Sequence, residues 1–212
     1  MEEDGGLDTK ANSRWALWAA LAMLAAGGLW FLYVLFAASS KPEPSGGLTR
    51  FAVGEMARLQ VLEDAPPMPS RAINDAEGVE TTLPALGGQV LVVNLWATWC
   101  APCMEEMPTL AALQRRYRDR LRVLPISVDS EADLARAQRE LARLSGGSLP
   151  FYSDISRGVL FDLRAPGMPL TVIYDAEGVE AARLAGGADW GGDDAGALMD
   201  AVLGENERGS DP

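Results

Sequence analysis

Residues Gln89–Trp96 read QVLVVNLW, and the chain continues Ala97-Thr98-Trp99-Cys100-Ala101-Pro102-Cys103 into Met104-Glu105-Glu106-Met107-Pro108. The first stretch is β-branched and almost continuously apolar over strand length, the pattern of a strand buried on both faces, and such strands belong to α/β sheets. After it Met107, Leu110, Leu113 and Tyr117 recur at helical spacing. That stretch ends in Arg115, Arg116, Arg118, Arg120 and Arg122, cations that complement a helix C-terminus. A solvated helix end accounts for this cluster better than a site for an acidic partner. The two cysteines therefore sit where a buried strand hands over to a helix.

Downstream, Leu121–Val128 (LRVLPISV) predicts a second strand, Glu131–Leu144 a second helix with Leu134, Ala137, Leu141 and Leu144 on one face, and Leu149–Ser153 a short strand. Leu170–Asp175 and Val179–Leu184 predict a hairpin through Asp175-Ala176-Glu177-Gly178, whose glycine can take positive φ. Asp193 or Asp194 is expected to cap a final helix reaching about Leu203. The hexapeptide DAEGVE occurs at 75–80 and again at 175–180 without matching flanks, which reads as one turn used twice and not as a duplicated domain. This order of elements predicts an α/β domain with a mixed central sheet and helices on both faces.

No residue from Trp15 through Ser40 is charged, and Trp15–Ala37 reads WALWAALAMLAAGGLWFLYVLFA. At ~1.5 Å per residue it reaches roughly 34 Å, enough for a bilayer core. Trp15 and Trp18 toward one end, and Trp30, Phe31, Tyr33 and Phe36 toward the other, are placed as interfacial aromatics are. One transmembrane helix over 15–38 is expected, in preference to a buried core helix or a cleaved signal peptide, whose apolar region is usually only about 7 to 15 residues. Lys10 and Arg14 precede the segment and Lys41 and Arg50 follow it, so the positive-inside count leaves the topology open. The expected organisation is a cytoplasmic N-terminal tail (1–14), the anchor (15–38), a flexible Ser/Pro/Gly-bearing linker (39–50), the compact α/β domain (51–204) and a disordered tail (205–212).

Composition narrows the chemistry. With 212 residues the chain has room for one compact domain and appendages. Lys+Arg 18 against Asp+Glu 30 gives a net charge of −12, which disfavours nucleic acid as a partner. The absence of histidine removes Ser-His-Asp and Cys-His catalysis and His-ligated metal sites.

Cys100 and Cys103 are the only cysteines, and two thiols at this spacing can close on each other. A disulfide acts chiefly by shortening loops of the unfolded chain, and so short a loop gains little, which makes a structural role a poor explanation. A zinc half-site would need further ligands that the chain does not supply as histidine or cysteine. No metal and no cofactor beyond the redox-active disulfide is expected. At a helix N-terminus the macrodipole and unpaired N–H groups favour an anion, which lowers the pKa of Cys100 and makes it the nucleophile. Cys103, one turn along, is then the resolving thiol. Trp96 closes the buried strand and is expected in the core, while Trp99, beside the nucleophile, is expected at the contact surface.

The run Val92-Val93-Asn94-Leu95-Trp96-Ala97-Thr98-Trp99-Cys100-Ala101-Pro102-Cys103 resembles the active-site segment of thioredoxin-fold proteins. With Met104-Glu105-Glu106-Met107-Pro108 it is similar to the membrane-anchored TlpA, ResA and CcmG branch, TlpA nearest, over about Leu83 to Leu203. The resemblance implies a thioredoxin-like fold in which Pro108 kinks the active-site helix and Pro169 follows a cis peptide bond facing the thiols. Met168 would then offer backbone to an extended substrate segment, so that Trp99, Pro102, Met168 and Pro169 form the substrate-binding surface. Read from residues alone, Pro169 is an ordinary strand-start proline. Where cytoplasmic thioredoxin carries a buried aspartate this chain has Asn94, which cannot act as a base, and the branch instead places a glutamate at Glu106 for proton handling. The residues alone also allow Glu106, like Glu105, simply to complement the positive helix end.

The function implied is that of a thiol:disulfide oxidoreductase held by a single-pass anchor in the bacterial cytoplasmic membrane, with its catalytic domain in the periplasm. It would reduce disulfides of specific partner proteins in cytochrome c or cytochrome oxidase maturation and draw electrons from a membrane donor of the CcdA or DsbD type. A disulfide-introducing oxidase resembling DsbA differs in potential and not in motif. A copper-delivery protein resembling the Sco family would rely on a histidine that is absent, and a module that holds clients noncovalently would not need the thiols. Peroxidase chemistry lacks the Thr-to-Cys motif expected before Cys100.

Overall fold

The computed structural model describes residues 11–39 and 46–204. The chain separates into two units, residues 1–43 and 44–212. In the first, a single helix, α1, runs over Ala11–Ser39. Side chains are described in α1 only for Trp18, Ala19 and residues 21–33. Among the described residues no helix is long and apolar enough to cross a membrane, and the span expected over 15–38 extends beyond these side chains. Residues 1–10, 40–45 and 205–212, which carry much of the expected N-terminal tail, linker and C-terminal tail, lie outside the described residues. Residues 46–50, placed in the flexible linker by composition, belong instead to a 3-10 turn over Gly46–Phe51, whose Leu48 and Phe51 pack against the core.

The second unit is built on one sheet. Its strands are β1 (Leu59–Gln60), β2 (Ile73–Asp75), β3 (Glu80–Thr81), β4 (Val90–Trp96), β5 (Leu121–Ser127), β6 (Tyr152–Ser153), β7 (Leu170–Tyr174) and β8 (Glu180–Ala185), in the order β1-β8-β7-β4-β5-β6-β2-β3. The central strand β4 pairs parallel with β5 and antiparallel with β7, so the sheet is mixed as expected. Every residue of β4 is buried. Its alternation decides the two cores: Val90, Val92 and Trp96 enter one cluster, and Leu91, Val93 and Leu95 the other.

The first cluster is covered by α2 (Ala101–Tyr117), α3 (Leu134–Ser145) and α5 (Asp193–Val202), and the second by α4 (Gly158–Asp162) with Leu83 and Ile73. Same-direction crossovers from β4 to β5 and on to β6 put α2 and α3 on one face. The return across the sheet to β7 leaves α4 on the other. This is the thioredoxin-like α/β arrangement.

Several local expectations change. The second helix begins with a 3-10 turn over Glu131–Asp133 before α3, and the short strand shrinks to Tyr152–Ser153. The N-cap of α5 is Gly192, while Asp193 and Asp194 lie in its first turn, where their charge suits the positive helix end. Asp194 accepts a hydrogen bond from the Glu55 N–H at 3.2 Å and so ties the chain before β1 to α5. The repeated hexapeptide does form one turn twice: Asp75 and Asp175 each accept from the N–H groups two and four residues on, and Gly78 and Gly178 take φ +82 and +83.

Candidate active site

The strand-to-helix turn is held from below by a buried carboxylate. The Thr98 N–H and Oγ1 both donate to Asp129, the latter at 2.8 Å, and Ser127 Oγ donates to the same side chain. The Val128 N–H donates to the Trp96 carbonyl at 2.9 Å, joining the end of β4 to the loop after β5. Asp129 thus fixes the residue two before Cys100.

Cys100 is the N-cap of α2, in extended conformation, and Cys103 lies in the first turn. The two are joined as a disulfide with their Cα atoms 5.3 Å apart. Cys100 is 6% exposed and Cys103 fully buried, so an incoming group meets Cys100 first. Trp99 beside it is 61% exposed, whereas Trp96 is completely buried, which is the division expected of the two tryptophans. Pro102 is exposed in the first turn, and Pro108 lies inside α2.

Pro169 follows a cis peptide bond from Met168, as the resemblance implied, and Met168 is half-buried. The Pro169 carbonyl accepts from the Gly186 N–H at 2.7 Å. This draws the loop after β8 to the cis proline. The next residue, Gly187, runs close to Pro102: a Cβ there would stand 3.3 Å from the Pro102 carbonyl oxygen.

Glu106 is 3% exposed. Asn94 Nδ2 donates to its Oε1 at 2.7 Å, while the Ala188 N–H and Trp190 Nε1 donate to Oε2 at 3.2 and 3.3 Å. Burial pushes this carboxyl up to about 7, and the hydrogen bonds from Asn94, Ala188 and Trp190 and the nearby Arg58 charge only partly oppose it. A group that changes protonation near neutrality, one helical turn from Cys103, can accept or return a proton there. Asn94 also donates to Thr171 Oγ1 at 3.0 Å, and its own Oδ1 has no partner. Glu105 on the same turn is exposed. Among the described residues no group of His, Cys, Asp and Glu is arranged to hold a metal ion.

A cleft of about 410 Å³ beside the disulfide turn is lined by Glu55, Arg58, Pro102, Glu106 and Asp189, among others. Arg58, Asp129, Thr171, Ala188 and Trp190 were not anticipated from the sequence. Each reaches the site from a distant stretch of chain, and only Asp129, an acidic residue directly after an apolar strand, left any local signal.

A disulfide at the head of the helix that follows the central strand, with a cis proline just before β7 and a buried carboxyl one turn along that helix from Cys103, defines a thioredoxin-like thiol-disulfide oxidoreductase. The chain belongs to the AhpC/TSA family, whose model matches residues 65–181. It is 29% identical over 118 residues to the thioredoxin-like protein YneN of Bacillus subtilis (strain 168), covering 56% of this chain and 69% of that one. To the thiol-disulfide oxidoreductase ResA of Bacillus thuringiensis (strain Al Hakam) it is 25% identical over 122 residues, 57% of this chain and 67% of ResA. Its fold is shared with the solution structure of a thiol:disulfide interchange protein from Bacteroides sp., at TM-score 0.56 and 22% identity, over 70% of this chain and 95% of that one.

Proposed function

We propose that this chain is a membrane-anchored reductant of protein disulfides, working on the periplasmic side of the bacterial cytoplasmic membrane, with clients in cytochrome c or cytochrome oxidase maturation. The observation that carries the dithiol chemistry of this reading is Glu106, buried one turn from Cys103 and poised near neutrality. It supplies the proton acceptor that Asn94 cannot.

In the reduced protein the Cys100 thiolate attacks a client disulfide, forming a mixed disulfide and releasing one client sulfur as thiolate. Cys103 gives its proton to the Glu106 carboxylate and attacks Cys100 Sγ. The mixed disulfide breaks, the second client sulfur leaves, and two electrons have passed to the client, with Cys100 and Cys103 oxidised. Trp99, Pro102, Met168 and Pro169 form the surface against which the client segment lies. A membrane donor of the CcdA or DsbD type returns the electrons, because an oxidising compartment would otherwise hold the pair as disulfide.

The anchor is α1. Among its described side chains Leu24 and Leu29 are 74% exposed and no charged residue falls within 21–33, so an apolar surrounding is what this helix lacks in water.

Equilibration of the 212-residue chain, in detergent, against glutathione tests the direction of transfer. A potential more negative than about −200 mV is expected, and one near −120 mV would make this a disulfide-introducing protein. Cys103→Ser should leave client proteins trapped on Cys100, and Cys100→Ser should trap none.

A further inference from the structure

The loop Gly186-Gly187-Ala188 touches three parts of the site. Gly186 bonds to the cis proline, Gly187 packs on Pro102, and Ala188 donates to Glu106. The loop also meets Arg58, which lies between the 3-10 turn over Gly54–Met56 and β1. Arg58 Nη2 donates to the Gly187 carbonyl, and a Cβ on Gly186 would stand only 2.5 Å from Arg58 Nη1, so the guanidinium lies directly against this loop. Arg58 also lines the cleft that Glu106 faces. Among the described residues the other charged groups of that cleft are Glu55, Glu105, Glu106 and Asp189, all acidic, so Arg58 is the one cation described there.

We propose that Arg58 is a positioning residue for proton transfer at the dithiol: it clamps the Gly186–Ala188 loop, and through the Ala188 N–H and its own charge it holds Glu106 ready to exchange a proton with Cys103. The peptide unit between Gly187 and Ala188 is the link. Its carbonyl accepts from Arg58 and its N–H donates to Glu106, so polarisation at one end strengthens the bond at the other. This rests on the proton-handling reading of Glu106.

The test is the pH profile of reduction of the Cys100–Cys103 disulfide by dithiothreitol in the 212-residue chain, across about pH 5.5 to 9, corrected for the reagent's thiolate fraction. The reagent's thiolate bonds to Cys100, the Cys100–Cys103 bond breaks, and Cys103 leaves as a thiolate that takes the Glu106 proton. The reagent's second thiol then closes on the first and frees Cys100. In the native chain the corrected rate falls above an inflection near pH 7, where Glu106 loses its proton.

Arg58→Met keeps the aliphatic stem and removes the clamp and charge. It is expected to move the inflection upward by roughly half a pH unit, making reduction near pH 8 about threefold faster than in the native chain. Arg58→Lys should fall between the two. Glu106→Gln should abolish the inflection, and Arg58→Met added to it should change the profile no further. If Glu106→Gln leaves the native inflection in place, the reading of Glu106 fails and the assignment of Arg58 with it. If Glu106→Gln removes the inflection but Arg58→Met does not move it, or alters the rate equally when Glu106 is already Gln, the role of Arg58 alone is overturned.

Discussion

At Glu106 three donors converge on two carboxylate oxygens, the closest being Asn94 Nδ2 at 2.7 Å, and burial still outweighs them. The consequence for stability has a definite sign. Between its ordinary value of 4.5 and about 7 the native state holds a proton on this group that the unfolded chain has released, so stability is fullest below about 4.5 and is lost as pH rises through 7. The difference of 7 − 4.5 corresponds to a loss of order 3 kcal/mol. Glu106→Gln should remove it: urea unfolding of the oxidised protein is expected to show a fall of that order from about pH 5 to 8 in the native chain, relative to the variant. Parallel profiles would refute the burial argument, whatever constant offset the altered hydrogen bonds add. Asn94→Asp presses the same point from the other side. It sets a second carboxyl within hydrogen-bonding distance of Glu106, where two charges cannot both be held, so the pair should titrate together with one step raised further. The variant should lose more stability near pH 8 than near pH 5, on the order of 2 kcal/mol more.

The two DAEGVE hairpins are an internal control on what an element owes to its surroundings. Each closes with the same Asp side chain and a glycine near φ +80, so alanine at Gly78 or Gly178 meets the same local strain of about 1 to 2 kcal/mol. The settings differ. β7 and β8 lie within the sheet, while β2 and β3 end it, and Glu180 is buried against Arg183 where Glu80 is exposed. Gly178→Ala should therefore lower the urea midpoint more than Gly78→Ala, whose cost should surface as faster hydrogen exchange confined to β2 and β3. An equal or larger midpoint shift for Gly78→Ala would mean that the edge hairpin unfolds with the whole. The same contrast explains what could be read in advance. β4, α2, β5 and the β7–β8 hairpin carry apolar patterns several residues long or a turn signal, and they form where those signals lie. β1, β2 and β3 are two or three residues each, and α4 is five, too short for any periodicity to register, while β6 was expected as a longer strand and keeps only its last two residues. At the site, Cys100, Cys103 and Trp99 were legible because they are contiguous. Ala188 and Trp190 reach Glu106 from 82 and 84 residues away, and no local pattern encodes that meeting.

Across the whole molecule, the chain carries a net charge of −12 while residues 21–33 of α1 hold no charged side chain. If α1 is the anchor, its worth is concentration: confinement to the plane of the membrane raises the encounter rate with membrane-bound donors and clients without any added contact at the dithiol. Chemistry and tether should then separate cleanly. Leu24→Lys together with Leu29→Lys places two charges in the middle of the helix, each costing about 2.5 to 3.5 kcal/mol at a bilayer centre, enough to shift the chain from the membrane to the soluble fraction. The native chain should stay with membranes through an alkaline carbonate wash and be released only by detergent. The released double variant should react with a small disulfide at the native rate, because Cys100, Cys103 and Glu106 are untouched, yet reduce a membrane-tethered client several-fold more slowly. Release of the native chain by carbonate would remove the anchor from the proposal. A double variant that reduced the tethered client at the native rate would show that confinement contributes nothing, leaving recognition to the surface around Trp99 and Pro169 alone.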